Sequence, residues 1–317
     1  MDSSPIAMEQ QQDAAAVPAA PVAFAAEPPA VIPSQSPSCP ACAAAAAAAP
    51  GMRAASGAAA YVYAIGSIEA RFPKLSVEKE FAQAVGREKT EGLSDPQVLK
   101  AVLSQPGNRY LARQLCWVMT IEGLETYILV PRDPADISLL LEALSATPKP
   151  GDIHCVIGVR GPLAPPDMCN GLMIPVVGFD QIYWFDRESL VAGLTRKIQP
   201  GEKLAADQLA AAAEALFDRI MGMTDNAGSA DEHRALNYLA VRDHRIYEVA
   251  AEAFRRNESL SHIAVRRSPL SGARKIVDVI FSFTNRNTDV VSKHSARVDV
   301  TDEFPFLVTK LSAYYDP

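Results

Sequence analysis

The chain has 317 residues, 49% of them hydrophobic, and 30 Lys and Arg against 37 Asp and Glu give it a net charge of −7. That near balance, with no basic stripe, argues against nucleic acid or an anionic membrane surface as a partner. No apolar run approaches the roughly 20 residues of a membrane-spanning helix.

Composition divides the chain near residue 60. Residues 1–60 hold 23 Ala and 9 Pro but only one aromatic, Phe24, and one basic residue, Arg53. Such a segment lacks the large apolar side chains that offset chain entropy, so a disordered Ala/Pro-rich leader is expected. Its alanine run is bracketed by Pro40 and Pro50 and is too short for a stable lone helix. The opening MDSSPIAMEQQQD is acidic and polar, without the basic start of a secretory signal, and a cytoplasmic location is expected.

Residues 61–317 are long enough to bury a substantial core. Tyr61 to Phe72 reads as a strand closed by Pro73. A helix follows from Ser76 to about Arg87, with Val77, Phe81, Ala84 and Val85 on one stripe. Asp95 and Pro96 read as the N-cap and first residue of a second helix ending near Ser104. Asn108 to Thr120 reads as a helix giving way to a strand near Trp117. Thr126 to Val130 is a strand, and Asp133-Pro134 caps a helix carrying Ile137, Leu140, Leu141 and Leu144.

Ile153 to Val159 alternates, with Ile153, Cys155, Ile157 and Val159 on one face and His154 and Val156 on the other. Leu172 to Phe185 reads as a buried strand with an edge or bulge at Pro175. A helical block spans about 187–257: Ala206 to Met223, then Asp231 to Val241 opened by a capping box from Ser229 to Glu232, then Asp243 to Arg256. Strands resume at His262. In the last stretch Val277, Val279, Phe281 and Phe283 share a face opposite Asp278 and Ser282, while Val298 and Val300 alternate with Arg297 and Asp299. The order predicts an α+β fold: a mixed sheet with the helical block as a subdomain between its parts.

Candidate chemistry is sparse. Cys39-Pro40-Ala41-Cys42 is a CxxC pair in the leader, whereas a structural zinc ion needs four ligands. Zinc bound through Cys39 and Cys42 therefore requires Cys116, Cys155, Cys169 or His154 from the body, or the same pair from a second copy. Otherwise no cofactor is expected. The three body cysteines are odd in number and widely spaced, which does not read as a disulfide framework and fits a reducing compartment.

Arg160 to Asn170 (RGPLAPPDMCN) reads as a loop on a rigid scaffold, with Arg160, Asp167, Cys169 and Asn170 as candidate binding residues. A nucleophilic Cys169 would need a base, for which His154 is nearest in sequence. Asp225 to Asn237 is densely polar, but Asp231, Glu232 and His233 point about 100° apart on a helix and read better as a solvated helix start. His244, His262 and His294 are isolated. No subtilisin-type triad motif is present, and the chain is not expected to be an enzyme of that kind.

Four blocks carry a resemblance: Tyr61 to Gly66 (YVYAIG), Asn108 to Pro134, Cys155 to Asp186, and Ile276 to Pro317. In this order they resemble the C-terminal domain of the PatG cyanobactin maturation protease family, and the Cys39–Cys42 pair resembles the linker before that domain. The resemblance implies a domain of unknown function attached to peptide-maturation machinery, able to dimerise and to bind zinc. The subtilisin-like region that precedes it in such proteins, and performs macrocyclisation, is not in this sequence, so that activity is not carried over. The expectation is a non-catalytic accessory or recognition domain that binds a precursor peptide or a peptide-modifying enzyme. The alternatives are a peptide-modifying enzyme using the 160–170 loop and a purely structural dimerisation domain.

Overall fold

The computed structural model describes residues 59–86, 91–149, 151–186, 206–223 and 225–315. Cys39 and Cys42, and the first part of the expected helical block, lie outside them.

The first half builds a closed five-stranded barrel. Its strands are β1 (Tyr61–Arg71), β2 (Cys116–Ile121), β3 (Leu124–Pro131), β4 (Asp152–Leu163) and β5 (Pro175–Asp186), in the order β1-β2-β3-β5-β4. All neighbours are antiparallel except β3 and β5, so the sheet is mixed. Strand β1 changes partner along its length: Tyr61 to Gly66 pair with β4, and Ser67 to Arg71 pair with β2. Glycine is required at the switch, because a Cβ on Gly66 would lie 2.3 Å from the Thr120 carbonyl oxygen.

Between β1 and β2 come α1 (Leu75–Val85), α2 (Asp95–Ser104) and α3 (Arg109–Gln114), and α4 (Ile137–Ala143) follows β3. One face of every barrel strand shares a core with these helices, through residues such as Ala64, Met119, Leu129, Val156 and Phe179 against Val102, Leu111 and Leu140. The β2–β3 hairpin turns on Glu122 (φ 49°) and Gly123 (φ 80°). Two successive positive φ values suit a tight hairpin connection.

The second half places α5 (Ala206–Met221), α6 (Asp231–Arg242) and α7 (Arg245–Arg255) before an antiparallel sheet in the order β6-β7-β8-β9. Those strands are Glu258–Arg267, Ile276–Asn285, Val291–Asp299 and Phe306–Ala313. The expected face of β7, Val277, Val279, Phe281 and Phe283, packs on Leu216, Phe217, Leu236, Leu239 and Tyr247 of the helices. On the other side of the helices, Tyr63, Cys155 and Ile157 of the barrel meet Tyr238 and Val241 of α6. The α+β class expected from the sequence is the class observed, with the helices packed between a mixed barrel and a second, separate sheet.

Several local expectations are corrected. Ser94, not Asp95, is the N-cap of α2, forming a capping box with Gln97 and leaving Pro96 inside the first turn. Helix α6 starts from Ala230 without a side-chain cap, so the Ser229–Glu232 box does not form. Pro175 opens β5 rather than interrupting it, and Leu172 belongs to the preceding loop. The polar stretch before and along α6 is not merely solvated. Asn226 and Asn237 are buried and pair reciprocally, Nδ2 to Oδ1, at 2.7 and 3.1 Å, and Asn237 Nδ2 also donates to the Tyr63 carbonyl.

Candidate functional site

A cavity of about 790 Å³ lies at one end of the barrel. Its walls come from the second half of β1 (Ser67 to Ala70), from Phe72 and Phe81, from Asp95 to Leu99 of α2, from the end of α4 and from the start of β4. The lining is mostly apolar, with Ile68, Phe72, Phe81, Val98, Leu99 and Leu144. The Phe72 and Phe81 rings are 5.2 Å apart. Its polar residues are Ser67, Glu69, Asp95, Ser145, Lys149, Asp152 and His154. A cavity of this size and character suits an apolar ligand fixed by a few polar contacts.

His154 is the one imidazole in that wall, and both of its nitrogens are engaged. Nδ1 lies 3.3 Å from the Ile68 N–H that donates to it, and Nε2 lies 2.9 Å from the Ala143 carbonyl. That arrangement requires the neutral ring with its proton on Nε2. Burial pushes the His154 pKa below its usual value, outweighing the Ala143 carbonyl and Asp152, which act the other way. A ring fixed between two backbone groups is a positioning element and not a free general base. Asp152 accepts from the Lys149 N–H at 2.9 Å, and Glu69 pairs with Arg71 at 2.9 Å.

The expected 160–170 loop is shifted. Strand β4 runs to Leu163, so Arg160 is a strand residue, pairing with Val177 and donating its N–H to the Ala60 carbonyl. The loop proper is 164–174. Cys169 forms a disulfide with Cys116, 53 residues away, with Cα atoms 5.7 Å apart. This corrects the expectation that the body cysteines stay unpaired, and it removes Cys169 as a free nucleophile. His154 and Cys169 are not brought together: His154 lines the barrel-end cavity, while Cys169 lines two smaller cavities of about 350 and 360 Å³. Asp167 is exposed on the loop, and Asn170, at φ 51°, lines the second of those cavities.

Zinc through the leader pair loses its expected helpers. Cys116 and Cys169 are bonded to each other, His154 has both nitrogens engaged, and Cys155 is fully buried. Burial, outweighing the neighbouring Tyr63 and Arg242, pushes the Cys155 thiol up to about 12, so it is not a thiolate near neutral pH. Among the described residues no group of three or more His, Cys, Asp or Glu is placed to hold a metal ion. Nor, among them, is any helix long and apolar enough to cross a membrane.

Sequence reasoning missed a polar junction at the β8–β9 connection. Arg234 of α6 is 1% exposed and donates to the carbonyls of Val300, Asp302 and Glu303, with its guanidinium 5.2 Å from the Tyr61 ring centre. Beside it, Arg132 at the end of β3 pairs with both Asp180 of β5 and Glu303. Nothing in the local pattern of α6 marks Arg234 as buried, since its partners are backbone carbonyls some 66 to 69 residues away.

A five-stranded barrel joined through three helices to a four-stranded antiparallel sheet defines an α+β domain with a largely apolar cavity at one end of the barrel. Residues 203–314 match the family described as PatG C-terminal. The chain carries a PatG C-terminal-like domain. A solved structure titled "PatG Domain of Unknown Function" has the same fold, with a TM-score of 0.64 and 21% sequence identity over 81% of this chain and 99% of that one. No curated protein matches the chain.

Proposed function

We propose that this protein is a non-catalytic recognition domain in ribosomal peptide maturation of the cyanobactin type, binding a precursor peptide or a peptide-modifying enzyme. The barrel-end cavity takes apolar side chains of that partner. The observation that carries the reading is a cavity of about 790 Å³ with an apolar wall whose only imidazole is held between two backbone groups. Such a site offers burial and orientation rather than proton transfer. Asp167 and Asn170 on the 164–174 loop serve as a second, polar contact region. A cytoplasmic setting and zinc held by Cys39 and Cys42 of two copies belong to the same proposal.

Calorimetric titration of the full chain with a panel of apolar and polar peptides tests it. Apolar peptides should bind, and Ala70→Phe, which fills the cavity, should weaken binding at least tenfold while the melting temperature holds. Equal affinity in that variant, or turnover of a peptide, would overturn the reading. A concentration-dependent mass with no ligand would favour the structural dimerisation alternative.

A further inference from the structure

We infer that the Cys116–Cys169 disulfide is a thiol-exchange site, opened by a dithiol reductant, and that its opening frees the 164–174 loop from the barrel wall.

The loop is held to the barrel by a covalent tie and apolar packing. Its neck is closed by the Ala164 N–H to the Ile174 carbonyl at 2.9 Å, and two more internal bonds, Met168 to Pro165 and Leu172 to Cys169, shape it. Among the described residues, every hydrogen bond made by residues 164–174 is internal to the loop. What crosses to β2 and β3 is the disulfide together with apolar packing of Met168, Leu172 and Ile174 on Val118 and Ile128. Loss of the covalent tie therefore breaks no loop-to-barrel hydrogen bond, and the loop can lift as a unit from an otherwise intact barrel.

The bond also borders open space. Cys116 and Cys169 are themselves buried, 5% and 7% exposed, but together they line both cavities flanking the loop, of about 350 and 360 Å³, and these give a small thiol its approach to the bond. Cys155 is fully buried in another cluster and lines neither of these cavities, so it does not compete for exchange. In the reaction one thiolate of the dithiol attacks Cys116 or Cys169, forming a mixed disulfide and expelling the other sulfur as thiolate. The second thiol of the reductant then attacks its own mixed disulfide and releases the remaining cysteine. The net transfer is two electrons and two protons from the dithiol to the pair, and the reductant leaves as its disulfide. In a reducing compartment such bonds are transient and sensing rather than structural.

The test uses the full chain carrying Cys39→Ser and Cys42→Ser, so that three cysteines remain. Maleimide labelling of the native protein, read by mass, should find none of them before reduction. After mild dithiothreitol treatment it should find two, mapping to Cys116 and Cys169. Chymotryptic cleavage after Leu172 should rise at least tenfold on reduction and fall again on reoxidation, while circular dichroism stays folded. A Cys116→Ser, Cys169→Ser variant should be cleaved like the reduced protein. Labelling without reductant would show that the bond does not form. Resistance to dithiothreitol until global unfolding, or reduction without a change in cleavage, would make the bond a structural staple; each of these three results overturns the inference.

Discussion

The backbone N–H of Ile68 donates to His154 Nδ1 at 3.3 Å, just past the point where β1 stops pairing with β4. An imidazole thus takes the place of a strand carbonyl, and its other nitrogen reaches the Ala143 carbonyl at the end of α4. The ring ties three elements around the cavity mouth, and it can do so only while neutral.

A pH dependence follows. Burial lowers the His154 pKa from its ordinary 6.5, so in the window below 6.5 the unfolded chain binds a proton that the folded chain refuses. Stability is then present above pH 6.5 and is lost as pH falls through the lowered folded value. His233 and His294 are shifted the same way, again chiefly by burial, and add to the slope. His154→Phe should flatten the fall and cost about 2 kcal/mol at pH 7.5, because two backbone partners lose their bonds. Thermal melts from pH 5 to 8 check both; an unchanged slope in the variant would count against the neutral-ring assignment.

Glu303 predicts the opposite sign. Burial first, and then the adjacent Asp180 carboxylate, raise its pKa from 4.5 to about 7 against the pull of Arg132. Between those values the folded state holds a proton that the unfolded state has released. The contribution of Glu303 is therefore present below pH 4.5 and lost as pH climbs through about 7. Removing Glu303 as Glu303→Gln should leave the histidine slope alone, so the variant should lose more stability on acidification from pH 7 to 5 than the parent does. Equal losses in the two proteins would show that Glu303 titrates normally.

Backbone proximity gives a steric prediction at Gly66. Any Cβ there meets the Thr120 carbonyl oxygen at 2.3 Å and the Ile121 side chain at 3.1 Å, and the nearest atom is backbone rather than a flexible side-chain tip. Gly66→Ala should cost roughly 2–3 kcal/mol through forced separation of β1 from β2. Gly123→Ala, at φ 80° with nothing within 4 Å of its Cβ, should cost less, about 1 kcal/mol, through backbone strain alone. Denaturant midpoints that rank the two the other way would remove the close-approach argument.

What could be read in the sequence, and what could not, follows from the range of the forces involved. The alternation of Val277, Val279, Phe281 and Phe283 is a local record of one buried sheet face, and it survives intact in β7. The same holds for the stripe of α1 and for the face shared by Cys155 and Ile157. Barrel closure is not local: the β1–β4 pairing joins Tyr61 to Val159, and no periodicity records that. The bond between Cys116 and Cys169 is likewise set by the loop folding back on β2, which an odd count of cysteines conceals. Ser229 and Glu232 have the spacing of a capping box, yet the chain turns one residue later, at Ala230. At the candidate site the sequence supplied His154 but not its two backbone partners, which turn a candidate base into a brace.

Arg234 tests whether the junction is held by the shape of its side chain as well as its charge. Its guanidinium donates to the Val300 carbonyl at 2.7 Å and to those of Asp302 and Glu303, while the Asp231 carboxylate lies 3.4 Å away. Burial lowers the Arg234 pKa, but an arginine keeps its proton near neutrality, so the group stays a planar donor. Arg234→Met should cost about 3 kcal/mol by leaving buried carbonyls without donors. Arg234→Lys should recover little of that, since a compact ammonium cannot span three carbonyls and loses the planar contact over Tyr61. Urea unfolding of both variants decides the point. If lysine restores full stability, charge rather than the guanidinium fork holds the β8–β9 connection to α6.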